Sequence, residues 1–211
     1  MKPIIVDDKV FPYLLINDFF SNEEYDLIWK EIGYFLNNNN FYDCALDKNS
    51  AHNDGKPLAL HSRCYPNDVL NESQKQNSVL FNSIRKIQNK EFHKLVEETF
   101  KNSPYALYKT FLGLNRSSLV LNQYGEAEEY KEHFDQVQFS MITWLYKEPK
   151  NFEGGDFLFT RNNTRIKCSN NTCIIFPGFY YHKVEPIKIF DKTIKDGGRF
   201  SINRFFYTVY D

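Results

Sequence analysis

Three residues have types and spacing that could hold a metal ion. His133-Phe134-Asp135 closes the stretch LVLNQYGEAEEYKEHFD, and His182 follows far downstream in FYYHKVEPI. On a β-strand, residues two apart point to one face, so a short segment can aim an imidazole and a carboxylate at one point. Two imidazoles and a carboxylate on one side of a metal leave its other positions open, a donor set that suits oxygen-activating Fe(II). Zinc is the alternative. Structural zinc prefers thiolates, and the H-E-x-x-H pattern lies on a helix; the chain has neither arrangement. H-x-D by itself is too common to decide between these. His52 and His61 are further imidazoles, but neither has a partner at metal spacing.

These residues need elements to position them. After Pro104 the hydrophobic period changes from helical to two. Strands are expected at 117–124, 132–135, 137–146, 156–160, 165–168, 172–176, 181–186 and 199–209. Turn signals such as Gly154-Gly155, Asn170-Asn171, Pro177-Gly178 and Gly197-Gly198 separate them. Many short strands at this spacing imply a sandwich, barrel or jelly roll. The first half reads differently. Ser21 and Glu24 form a capping box, and a helix should run to about Leu36 with Tyr25, Ile28, Trp29, Ile32 and Phe35 on one face. Residues 37–72 lose the pattern and read as a long loop, either a surface excursion or a mobile flap over a substrate site. A second helix is expected over 73–101, ended by Ser103-Pro104.

The expected fold is mainly β with flanking helices: one domain over residues 1–211, with helical support in 1–104 and a jelly-roll core in 105–211. The net charge of −1 gives no basic field for nucleic acid or anionic membrane. No apolar run reaches the roughly 20 residues of a membrane span, and Asp7, Asp8 and Lys9 interrupt any signal-peptide core. A cytoplasmic protein with reduced thiols is expected. Cys168 and Cys173 flank Ser-Asn-Asn-Thr and could face each other across a hairpin; otherwise the four cysteines are buried or idle thiols.

A set of motifs runs in order along the second half: Asn122-Gln123-Tyr124-Gly125, Tyr130–Asp135, Trp144-Leu145, Gly154-Gly155-Asp156, Phe176-Pro177-Gly178, His182–Pro186 and Gly198–Phe206. In these the chain resembles the prolyl 4-hydroxylase-like branch of the 2-oxoglutarate- and Fe(II)-dependent dioxygenases, over about residues 120–207. The resemblance implies a double-stranded β-helix core. It implies that His133, Asp135 and His182 are the metal triad and that Arg199 takes the distal carboxylate of 2-oxoglutarate. A guanidinium suits that role because it grips a carboxylate through two parallel hydrogen bonds. Ser201 would share its face, whereas Arg204, of opposite parity, should point elsewhere. Tyr124 matches a tyrosine that hydrogen-bonds the cosubstrate. Trp144 stands where relatives often carry a tyrosine, so it is either a rearranged cosubstrate contact or core packing; an indole offers only an N–H donor. Residues 187–196 read as a loop that lengthens the connection to Arg199. The implied cofactors are Fe(II), 2-oxoglutarate and O2, with ascorbate in support. The implied reaction is hydroxylation of an unactivated C–H bond, because the carboxylate that halogenases lack is present as Asp135. The substrate could be a prolyl or other side chain of a peptide or protein, or a free amino acid or small metabolite. A non-catalytic jelly-roll binding protein is the alternative from another class.

Overall fold

Alternating side chains on the strands feed two separate cores, and this sets the architecture. The structure, a computed structural model, describes residues 2–6, 12–100, 110–111, 113–194 and 196–209. Among them an antiparallel sheet runs in the order Lys2–Val6, Tyr13–Asn17, Thr172–Pro177, Phe139–Leu145, Arg199–Tyr207, Arg116–Tyr124, Ser62–Cys64, Tyr42–Asp43. A smaller antiparallel sheet runs Thr164–Ile166, Phe157–Phe159, His182–Val184, Glu129–His133, Ala59–Leu60. Ile142, Trp144, Ile174 and Phe176 of the large sheet meet Phe157, Phe159, Ile166 and Val184 of the small one in an inner core. Their sequence neighbours Met141, Leu145, Cys173 and Ile175 face a second core shared with Ile28, Ile32 and Phe35 of the helix Asn22–Asn37. The result is a double-stranded β-helix with helices packed on the outer face of its larger sheet.

The helix begins where its caps dictate. Ser21 Oγ accepts the Glu24 N–H at 3.2 Å, and Glu24 Oε2 accepts the Ser21 N–H at 2.8 Å, so two otherwise orphaned donors are satisfied together. Arg204 anchors the covering layer. Its Nη2 donates to Leu80 O at 2.6 Å and Phe81 O at 2.8 Å, on the face opposite Arg199 as parity requires.

Three expectations are corrected. The helix expected over 73–101 is broken into Glu72–Asn77, Val79–Asn82, a 3₁₀ turn Ser83–Lys86, and Lys90–Phe100. Capping competes with continuation there: Ser78 is extended, its hydroxyl accepts the Phe81 N–H, and Glu31 Oε1 draws the Val79 N–H at 2.6 Å. The stretch 37–72 is not patternless chain. It contributes Tyr42–Asp43 and Ser62–Cys64 to the large sheet, Ala59–Leu60 to the small one, and a hairpin closed by Asp54-Gly55. The connection to Arg199 is shortened because Ile187–Ile189 pairs with Phe152–Gly154. Of the two readings of the cysteines, buried thiols hold: all four are free and buried, and Cys168 and Cys173 lie in different cores. No helix among the described residues is long and apolar enough to cross a membrane.

Candidate metal and carboxylate site

The two histidines meet through strand pairing. His133 ends the strand Glu129–His133 and lies directly opposite His182 on its antiparallel neighbour, with ring centroids 4.3 Å apart. Asp135 arrives by a different route from the one expected. The strand stops before it, so a shared strand face does not aim it. Instead its N–H donates to Gly178 O at 2.8 Å, and its Oδ2 accepts the Ser140 hydroxyl at 2.5 Å. Gly178 makes the approach possible, since a Cβ there would lie 2.4 Å from Val137 O. The three ligand atoms fall within 4.8 Å of one another. Asp135 Oδ1 is 3.7 Å from His133 Nε2, and Oδ2 is 3.7 Å from His182 Nε2.

Hydrogen bonding prepares both imidazoles as ligands. His133 Nδ1 faces Lys131 O and His182 Nδ1 faces Tyr180 O, each at 2.7 Å. A carbonyl only accepts, so each Nδ1 carries a proton and each Nε2, on the Asp135 side, is the atom left to bind a metal. Burial, then the adjacent His182, holds the His133 imidazole well below its usual range. Burial raises the Asp135 carboxyl although His182 and Ser140 pull it down. Two neutral imidazoles and one oriented carboxylate are the donors a divalent Fe(II) ion takes.

Arg199 opens the last strand of the large sheet, paired with Tyr124. It is 1% exposed, its Nε and Nη1 have no hydrogen-bond partner, and it forms no ion pair among the described residues. A buried, unmatched guanidinium is costly unless a ligand completes it. Gly198, at φ +93°, passes so close to Tyr124 O that a Cβ would lie 2.3 Å from it. Ser201 shares the Arg199 face, and Tyr124, Arg199 and Ser201 line one cavity of about 320 Å³ with the His133–Asp135–His182 cluster. Trp144 does not line this cavity. Its ring packs against Phe157 in the inner core, 5.9 Å from the Arg199 guanidinium carbon, and its Nε1–H has no partner. His52 is exposed and its Nδ1 faces Ser50 O; His61 is buried outside the cluster.

Sequence reasoning missed several lining residues. Asn122 and Asn203 share the inward parity of Tyr124 and Arg199, so a polar residue at an inward position was the available signal. Arg63 also lines the cavity, paired to Asp47 at 3.1 Å and beside the Tyr65 hydroxyl. No local pattern marks it. A surface groove shares Asn49, Tyr130, His133, Asp135 and Gln136 with the cavity and continues past His52, Phe134 and Tyr181. His133 and Asp135 therefore line both spaces.

Buried imidazoles also set an acid limit. Burial, then the Arg63 charge, pushes His61 down to about 3, and His133 is lowered as well. Unfolded, both take a proton near about pH 6.5. The unfolded chain then binds more protons than the native one, so stability should fall below about pH 6.5, by about 1.4 kcal/mol per pH unit for each histidine in metal-free protein. Asp135, raised by burial, opposes this between the ordinary carboxyl range and its own higher value. His61→Phe should roughly halve the slope between about pH 6.5 and about pH 5 in urea denaturation. An unchanged slope would show that His61 protonates freely in the native state.

Residues 119–207 match the model of the 2OG-Fe(II) oxygenase superfamily. Among curated proteins none matches by sequence. Among solved structures, a prolyl-4-hydroxylase from Pseudomonas putida superposes with TM-score 0.62 at 13% identity, covering 96% of each chain. The viral collagen prolyl hydroxylase of Paramecium Bursaria Chlorella virus-1, in a 2OG complex, gives TM-score 0.53 at 16% identity over 93% of this chain and 96% of that one. A Trichoplax adhaerens prolyl hydroxylase, in complex with a hypoxia inducible factor peptide fragment, gives 0.57 at 10% identity over 92% and 83%. At these identities the likeness is one of fold.

Proposed function

We propose, from the premise that residues 119–207 are a 2OG-Fe(II) oxygenase unit resembling the prolyl 4-hydroxylase-like branch, that the chain is a dioxygenase hydroxylating an unactivated C–H bond in a prolyl or other side chain of a peptide or protein. One observation carries this reading: the His133–Asp135–His182 cluster and the unmatched Arg199 line the same cavity. His133, Asp135 and His182 would hold Fe(II). Arg199 would take the distal carboxylate of 2-oxoglutarate, with the Ser201 hydroxyl and Tyr124 beside it. Bound iron, with 2-oxoglutarate and O2, supplies the oxidising power for hydroxylation and leaves succinate and carbon dioxide.

The chain's own residues do the positioning. Lys131 O and Tyr180 O hold the two Nδ1 protons, which keeps both Nε2 atoms available. The Ser140 hydroxyl orients the Asp135 carboxylate. The inner core behind Arg199, with Trp144 and Phe157 in it, keeps water from the guanidinium and strengthens its hold on a carboxylate. The groove leading from the triad to the surface favours a peptide, because an extended chain can lie along it while one side chain enters. A free amino acid would occupy the cavity and leave the groove unused.

The test is anaerobic absorption of Fe(II)-loaded protein before and after 2-oxoglutarate, in the parent and in His133→Ala. A visible charge-transfer band in the parent alone is expected. No band in a parent with independently confirmed bound iron would overturn the 2-oxoglutarate reading.

A further inference from the structure

His61 has no role in the function proposed above, yet it occupies a singular place in the fold. It is the one residue between two short strands of different sheets. Ala59–Leu60 pairs into the small sheet with Ala59 opposite Tyr130, and Ser62–Cys64 pairs into the large sheet with Ser62 opposite Gln123. Here the chain crosses from the sheet carrying the two histidines to the sheet carrying Arg199. The His61 carbonyl accepts the Cys44 N–H at 2.9 Å, and the residue is 2% exposed.

Its ring bridges the two sheets. It stacks on Tyr124 with centroids 4.3 Å apart at 21°, and meets Tyr130 at 5.3 Å and 50°. Each tyrosine also touches a site group. The Arg199 guanidinium carbon lies 4.7 Å from the centre of the Tyr124 ring. Tyr130 is stacked on His133 at 3.6 Å and 13°. Arg199, Tyr124, His61, Tyr130 and His133 thus form one chain of flat groups with a site residue at each end. His61 is not in the metal-binding cluster, burial keeps its imidazole neutral at ordinary pH, and neither of its buried ring nitrogens has a hydrogen-bond partner, which leaves shape as its contribution.

We propose that His61 is a positioning residue: a planar spacer between Tyr124 and Tyr130 that sets the separation of Arg199 from the metal-binding histidines. This rests on the function proposed above. The physical need is plain, since small misplacements of groups that must act on one ligand cost large factors.

His61→Phe and His61→Met test it. Phenylalanine keeps a flat ring. Methionine fills similar space with a flexible chain and should fold. Two affinities are read in each variant: cobalt(II) for the triad, by its visible absorption without 2-oxoglutarate, and 2-oxoglutarate, by anaerobic titration of the Fe(II) band. His61→Phe should stay within about twofold of the parent, and His61→Met should bind 2-oxoglutarate about tenfold more weakly with a shifted band, the scale of one lost aromatic pair. The proposal is overturned if His61→Met binds both as the parent does, or if both variants lose alike. A lower melting temperature in His61→Met with unchanged affinities would also overturn it, leaving only a structural role. A parent that binds cobalt(II) but gives no band would instead sink the 2-oxoglutarate reading, and the cobalt affinities would still decide whether the spacer acts on His133.

Discussion

Arg199→Met should raise the melting temperature of the metal-free protein and, at the same time, abolish its stabilisation by 2-oxoglutarate. The two effects share one cause. Arg199 is almost wholly buried and has no carboxylate partner among the described residues. Holding an unmatched guanidinium out of water costs free energy, and apolar replacements at such positions are often stabilising by about 1–4 kcal/mol. Methionine can follow the same path through the core. The gain in stability should come with a loss of binding. Removing one partner of a buried, hydrogen-bonded charge pair costs about 2–5 kcal/mol, or from about 30-fold to several thousandfold in affinity. Arg199→Lys keeps the charge but not the planar fork, and should fall between parent and methionine. Thermal melts with and without iron and 2-oxoglutarate read both effects, since a ligand that binds the native state raises its melting point by mass action. A destabilised Arg199→Met that 2-oxoglutarate still stabilises would remove Arg199 from its assigned place.

Asp135→Ala should weaken divalent metal binding by more than about 100-fold, and Ser140→Ala by about 10- to 100-fold. Asp135 is the only anion of the cluster, so alanine leaves two neutral imidazoles and open space. Ser140 touches no metal position. Its hydroxyl fixes the rotation of the carboxylate whose two oxygens each lie 3.7 Å from one imidazole Nε2. Losing that restraint should cost about what partners behind metal ligands generally cost. Cobalt(II) titration of parent and both variants gives the order directly. Parental affinity in Asp135→Ala would remove the carboxylate from the donor set.

The parts legible in advance are those encoded locally. Ser21 and Glu24 announce a helix start because the capping groups are three residues apart on the same chain. Inward and outward strand positions could be read because side chains alternate strictly. That put Arg199 and Ser201 on one face and Arg204 on the other, where it holds Leu80 O and Phe81 O. The broken helix over 73–101 was less legible, because Ser78 yields to a carboxylate, Glu31, supplied by another helix.

Sequence alone thus singled out candidate residues for the chemistry, the order in which they come and which face of the last strand Arg199, Ser201 and Arg204 take, because these depend on residue type and a period of two. Only the tertiary structure decided how they meet. Asp135 is aimed by Gly178 and Ser140 rather than by its own strand, and short strands within residues 42–64 join the two sheets, carrying Arg63 to the cavity and His61 against Tyr124 and Tyr130. Strands of two or three residues are too short to show a period, and Ala59–Leu60 and Ser62–Cys64 are placed by the longer strands Glu129–His133 and Arg116–Tyr124 that offer them an edge.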